Sequence, residues 1–216
     1  MSTADVLSIL STISGIFPVI AALYNYRQLD KVLKIAAVYC LASVLSDLVL
    51  RLMKNMGIPK NWQVIHIYIM ISILLLGAMY FYAFFKKSHK KVVVIVTAIA
   101  LVSVIGNVLF FEGFGDYPSI SNTVLSIMLI CFSLAYFYQL LTRQEFVHIE
   151  KQGLFWINAG MLFYFSINIF LFMLFKRILL ENELDYYMIN NVTNIVANIL
   201  FTAGLLCKPQ KVTSYQ

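Results

Sequence analysis

The sequence predicts an all-α membrane protein, a bundle of seven transmembrane helices. Three observations predict it. Hydrophobic residues make up 61% of the 216 positions and charged residues only 12%, where a soluble domain carries about a quarter charged. The apolar residues fall into seven runs, each near the roughly 20 residues that a helix needs to cross a bilayer. Polar residues inside those runs recur at similar depths, which gives the bundle a polar interior. Mean hydropathy is +0.84, so residues 1–208 read as one transmembrane domain and 209–216 as a short polar cytoplasmic tail, disordered by composition.

The spans read as 6–26, 34–54, 62–85, 91–111, 120–141, 153–175 and 186–207. The first holds Ser14-Gly15 and Pro18, which should kink it; such breaks are tolerated where neighbours or water satisfy the freed carbonyls. Gly57-Ile58-Pro59 should turn the chain between spans two and three, and Glu112–Pro118 forms a glycine-rich loop between four and five. The stretch Lys176–Asp185 should link six to seven. The start, MSTADVLS, has no basic segment and no small-residue cleavage site, so no removable signal peptide is expected.

Charge sets the expected orientation. Eleven lysines and arginines fall on the side of loops 1–2, 3–4, 5–6 and the C-terminus, and five fall on the other. By the positive-inside rule this puts the N-terminus outside and the C-terminus in the cytoplasm of the inner (plasma) membrane. The net charge of +6 then records topology and lipid contact, and no nucleic-acid motif accompanies it. The cluster Lys86–Lys91 anchors topology, or recruits anionic lipid or an acidic partner.

Two hints of internal symmetry occur. Tyr24-Asn25-Tyr26, Tyr80-Phe81-Tyr82 and Tyr136-Phe137-Tyr138 repeat every 56 residues, as a relic of duplication or as an interfacial aromatic belt. AALYNYRQLDK at the end of span one resembles SLAYFYQLLTR at the end of span five. A 3+1+3 pseudo-repeat would give both spans the same orientation.

Span seven, YYMINNVTNIVANILFTAGLLC, carries the strongest signal. Asn190, Asn194 and Asn198 lie four apart and stack on one helix face, with Asn191 beside them. A bare amide in hydrocarbon is costly, so that face must meet other helices or water. Asp47 lies about 20 Å from the cytoplasmic end of span two at 1.5 Å per residue, and Arg51, one turn on, is placed to pair with it. As a counter-ion, Arg51 would keep the carboxylate charged and argue against proton relay. His66 and Tyr68 of span three, Asn107 of span four and Asn168 of span six reach the same outer half, while Asn158 lies near the inner end. Each has a plainer reading: an interfacial ion pair, a belt histidine, or asparagines as interhelical glue. Their convergence from five helices points instead to a ligand pocket of Asp47, Arg51, His66, Tyr68, Asn107, Asn168, Asn190, Asn194 and Asn198, with Phe163, Tyr164 and Phe165 as aromatic walls.

Several classes are disfavoured. Span seven lacks a lysine for a retinal Schiff base. No HExxH, GxSxG or nucleotide fingerprint occurs, and Asp47 is the only acid within a span. No catalytic residue, metal site or cofactor is therefore expected. Cys40, Cys131 and Cys207 show no metal or redox spacing and read as apolar filler.

The segments GLFWINAGMLFYFSINIFLF in span six and HIYIMISILLLGAMYFY in span three resemble orphan seven-helix membrane proteins of Bacteroidetes. The resemblance covers essentially the whole chain. It implies a sensor role, since such proteins often lie near or are fused to sensor histidine kinases. With this chain ending at Gln216, it implies output through a separate cytoplasmic partner such as a histidine kinase, met by the basic loops and Arg143–Lys151. The leading expectation is thus a receptor-like sensor with an outward-facing polar pocket. A small-solute transporter is the alternative, with a pathway through Asn198 and Asn158 and a gate at Pro18. A structural subunit is the third, in which helix contacts consume the polar faces and leave no cavity.

Overall fold

A computed structural model describes residues 3–58, 61–142, 149–181 and 184–207. Seven helices run α1 Thr3–Asn25, α2 Lys31–Asn55, α3 Trp62–Ala83, α4 Lys87–Phe110, α5 Ser119–Leu141, α6 Gly153–Glu181 and α7 Leu184–Leu206, with a short 3₁₀ turn at Ile149–Lys151. No strand occurs among the described residues. All seven helices are long and apolar enough to cross a membrane. The chain is a seven-helix, multi-pass membrane bundle.

Local chemistry sets several boundaries. The Asp30 carboxylate accepts from the Leu33 backbone N–H at 2.8 Å and starts α2, as an N-cap should. Gly57 ends that helix with φ +81°; its N–H donates to Lys54 and that of Ile58 to Met53, the two bonds of a Schellman turn. At the start of α5 the Glu112 carboxylate accepts from the Ile120 N–H at 3.0 Å. Pro18 lies inside α1, which runs through it as one helix.

Helices α1, α2 and α4 start three to four residues before their expected spans, and the largest difference is at the end of α6. Helix α6 continues to Glu181 and α7 starts at Leu184, so most of the expected Lys176–Asp185 link is helical. The segment Lys176–Glu181 contains neither glycine nor proline, so nothing in it stops the helix where the apolar run ends. The expected partner stretch Arg143–Lys151 lies mostly outside the described residues, as do Pro59 and the tail 209–216.

The helices form a ring in chain order. Each packs on its sequence neighbours, α7 closes onto α1, α3 also touches α5, and α2 touches α6 across the middle. Exchanging α1 for α5, α2 for α6 and α3 for α7 maps the contacts among these six helices onto themselves, with α4 as the odd helix. This is the relation a 3+1+3 arrangement requires. The core runs along α3, where Ile69, Ile73, Leu76, Met79 and Tyr80 are fully buried. Apolar side chains such as Leu45 on α2 and Ile99 and Val102 on α4 point outward, the surface that lipid requires. The tyrosine repeats divide between roles: Tyr24, Tyr26 and Tyr138 are exposed, whereas Tyr80 and Tyr136 are core.

In the half of the bundle nearer the C-terminus, buried side chains tie three helices together. The Tyr80 hydroxyl donates to Asn158 Oδ1 at 2.7 Å and lies 2.8 Å from the Ser133 hydroxyl, joining α3, α5 and α6. Asn158 Nδ2 donates to the Leu154 carbonyl at 2.8 Å. Nearby, the backbones of α6 and α7 touch at Gly153 and Gly204: a Cβ on Gly204 would lie 2.6 Å from the Gly153 carbonyl oxygen. Gly204→Ala should therefore push the two helices apart and cost about 1–3 kcal/mol. Gly106→Ala, whose Cβ meets nothing within 4 Å, should be neutral or slightly stabilising because alanine is the better helix former. Unfolding in detergent, monitored by circular dichroism, checks the contrast.

Candidate functional site

The asparagine face of α7 packs against α1 in the half of the bundle that holds the N-terminus. Asn194 Nδ2 donates to the Ser11 hydroxyl at 2.8 Å and Asn198 Nδ2 to the Ser14 hydroxyl at 2.9 Å. Ser11 and Ser14 lie three apart and Asn194 and Asn198 four apart, so both pairs fall on single helix faces. Ser14 in turn donates to the Ser11 carbonyl at 2.6 Å. Nearer the C-terminal end, Asn25 Nδ2 donates to the Leu205 and Cys207 carbonyls at 3.0 and 3.3 Å. One turn before Asn194, Asn190 Oδ1 accepts from the Tyr164 hydroxyl of α6 at 3.1 Å.

These contacts do not consume the polar face. A cavity of about 290 Å³ lies between α1, α2, α3, α6 and α7. Helix α1 lines it with Ser8, Ser11 and Thr12, and α2 with Ser43, Asp47, Leu50 and Arg51. Tyr68, Tyr164, Asn190, Asn191 and Asn194 complete the wall. An outer vestibule of about 360 Å³, lined by Asp5, Ser8, Ile9, Arg51, Lys54 and Asn55, adjoins it through the shared Ser8 and Arg51. A narrow inner recess of about 80 Å³ adjoins it through the shared Ser43, Asp47, Tyr68, Tyr164 and Asn194. That recess ends on Tyr39, Cys40, Leu125, Phe165, Phe172, Ala197, Asn198 and Phe201. The site is thus a funnel: polar at its wide end and aromatic at its floor.

Of the residues expected at the site, Asp47, Arg51, Tyr68, Asn190, Asn194 and Asn198 line this funnel. Asp47 and Arg51 interact through space without a direct hydrogen bond between them. Both are exposed, and the hydrogen bonds of Arg51 run to α1, to the Thr12 hydroxyl and to the Ser8 carbonyl at 3.3 Å. The long guanidinium side chain reaches the hydroxyl-bearing face of the next helix, which leaves the Asp47 carboxylate to the cavity. Tyr68 donates to the Tyr39 hydroxyl at 3.3 Å and stacks beside that ring.

Three expected residues lie elsewhere, because each has a closer partner. His66 is fully buried, with Nε2 3.2 Å from the Asp116 carbonyl and its ring stacked on Phe114. Asn107 donates to Glu112 Oε2 at 2.6 Å and to the Ser121 hydroxyl at 3.0 Å. Both residues hold the loop between α4 and α5. Asn168 donates to the Tyr164 carbonyl at 2.8 Å and to the Thr193 hydroxyl at 2.7 Å, tying α6 to α7. Asn158, expected on a transport pathway, is fully buried and held by Tyr80 and the Leu154 carbonyl.

Comparison with protein-family models, with curated proteins and with solved structures found no match.

Sequence reasoning missed the hydroxyls of α1 and Ser43. Serine and threonine are common in membrane helices and bond their own backbone, as Thr12 does to the Ser8 carbonyl at 3.0 Å, so singly they carry no signal. The available signal is the pair of matching stripes, Ser8-Ser11-Ser14 on α1 and Asn190-Asn194-Asn198 on α7. Among the described residues no group of three or more His, Cys, Asp or Glu could hold a metal ion.

The two asparagine–serine pairs should be energetically coupled. A double-mutant cycle of Asn198→Ala with Ser14→Ala should give roughly 0.6 kcal/mol, and up to about 1.7 kcal/mol at most, as for other interhelical bonds in membranes. Equilibrium unfolding in mixed micelles measures it. A coupling of zero would mean the pair contributes packing and no hydrogen-bond energy.

Proposed function

We propose that the protein binds a small polar molecule in this funnel and relays its presence to a separate partner in the cytoplasm. The observation that carries the reading is a polar cavity that opens at one end and closes on an aromatic floor. Small-molecule sites have this form: apolar and aromatic walls with a few convergent polar groups. The eleven-to-five split of lysine and arginine supports an orientation with the N-terminal end outside and the opposite end in the cytoplasm of the inner (plasma) membrane. The resemblance of spans three and six to orphan seven-helix proteins of Bacteroidetes supports a sensor, with a histidine kinase as the class of partner.

A signal requires that binding differ in strength between two helix arrangements. Helix α1 is suited to report it. Its Ser8, Ser11 and Thr12 line the cavity, while its Asn25 holds the end of α7. A displacement of α1 at the ligand would therefore reach the cytoplasmic end of α7. The basic residues Lys31, Lys34, Lys86, Lys87, Lys90 and Lys91 at that end supply the surface for an acidic partner. Lys31 sits 3.7 Å over the Tyr82 ring and Lys90 5.5 Å over that of Phe81.

Transport is the second reading. It is supported by the contacts that survive exchange of α1–α3 for α5–α7, and by Gly15, which lines the inner recess three residues before Pro18 of α1.

Ser43 lines both the cavity and the recess, so Ser43→Phe should fill the neck. Compounds from a panel of small polar metabolites should stabilise the wild-type protein in detergent by about 2.7 kcal/mol at one hundred times their Kd, and Ser43→Phe should lose that shift. Stabilisation retained in Ser43→Phe, or none by any compound, would remove the cavity as a binding site. Counterflow of the same compound in proteoliposomes would favour the transporter.

A further inference from the structure

We infer that the ligand is a small zwitterion, an ammonium and an acid group on one end of a short apolar tail. This rests on the reading that the funnel binds a ligand, and it names the class. The funnel holds charges of both signs on one wall. Asp47 lines the cavity and the recess, and Arg51, one turn nearer the mouth, lines the cavity and the vestibule. No hydrogen bond joins the two: those of Arg51 go to the neutral Thr12 hydroxyl and Ser8 carbonyl, while its charge still acts on the Asp47 carboxylate through space. Guanidinium has five N–H donors, and both bonds use Nη2 alone, so donors remain for an anionic group.

The surroundings sort the two charges. Around Asp47, the rings of Tyr68 and Tyr164 line the same neck. A carboxylate with aromatic neighbours is the chemistry that receives an ammonium, by ion pairing and by attraction to ring faces. Around Arg51, the amides of Asn190 and Asn191 line the same cavity and can donate to a carboxylate. A lone cation at Asp47 would sit within a helical turn of the guanidinium, and a lone anion at Arg51 within a turn of the carboxylate. Each would be repelled by the group it leaves unpaired. A molecule that carries both charges satisfies both. The inner recess, about 80 Å³, has Leu125, Phe165 and Phe201 among its walls beside the amides of Asn122, Asn194 and Asn198, and its apolar part can take a short apolar tail.

The test uses the full chain in nanodiscs and measures equilibrium binding of two matched sets. L-leucine is compared with 3-methylbutylamine, which lacks the carboxylate, and 4-methylpentanoate, which lacks the ammonium. L-phenylalanine is compared with 2-phenylethylamine and 3-phenylpropanoate. At least one amino acid should bind about tenfold or more tightly than either of its analogues, the worth of one charge-assisted hydrogen bond. Asp47→Asn should weaken that amino acid by a similar factor and spare its acid analogue. Arg51→Gln should do the converse, and Arg51→Lys, which keeps the charge and safeguards the fold, should retain the preference for the zwitterion. The inference is overturned if a singly charged analogue binds as tightly as its amino acid. It is also overturned if neither amino acid binds, or if Asp47→Asn and Arg51→Gln weaken all members of a set alike. Should the metabolite panel still yield a ligand lost in Ser43→Phe, the cavity reading survives and only the class is wrong.

Discussion

Four asparagines on one helix cannot face hydrocarbon, and much of the bundle follows from where they go. Two of the amides donate to serine hydroxyls of α1, and this brings the last helix onto the first and closes the ring. A third accepts from Tyr164 of α6. Amide–hydroxyl contacts need short side chains on the partner helix, and α1 supplies Ser11 and Ser14 at matching spacing. Short side chains also leave space. The same choice of residues that lets α7 approach α1 keeps the region toward α2 unfilled, and Asp47 and Arg51 line what remains.

The two halves of the bundle are built on different terms. Toward the C-terminal end, glycine backbones touch and a fully buried tyrosine, serine and asparagine satisfy one another. Toward the N-terminal end, polar side chains of α1, α2, α3, α6 and α7 line a cavity. Backbone contact and satisfied buried groups favour local stability at the first end, and a cavity favours local motion at the second. Helix α1 spans both, held by hydroxyls at one end and by Asn25 at the other.

The fold was legible in the sequence because lipid imposes a length and a polarity on each span. What differed most was α6, where a helix outlasts its apolar run: hydropathy marks the edge of the hydrocarbon and says nothing about where a polar helix stops. The site was legible in depth and not in direction. Asp47, Arg51, Tyr68, Asn190, Asn194 and Asn198 share a level and a cavity. His66, Asn107 and Asn168 share the level and turn elsewhere, toward Asp116, Glu112 and Thr193. Rise per residue fixes how deep a side chain lies, but which neighbour it faces depends on how each helix is rotated in the ring. The α1 serines show the converse, silent one by one and informative only as a stripe set against the stripe on α7.

The central claim is that water reaches this cavity from the outside and stops at its floor. Thiol accessibility tests it most directly. Cys40, Cys131 and Cys207 would be replaced, and single cysteines placed at Ser43, in the neck, and at Asn158, below the floor. A membrane-impermeant thiol reagent would be applied to right-side-out and to inverted membrane vesicles. The account predicts that the cysteine at 43 is labelled in right-side-out vesicles alone and that the cysteine at 158 is labelled in neither. Labelling at 43 from the cytoplasmic side, or no labelling there at all, would contradict it.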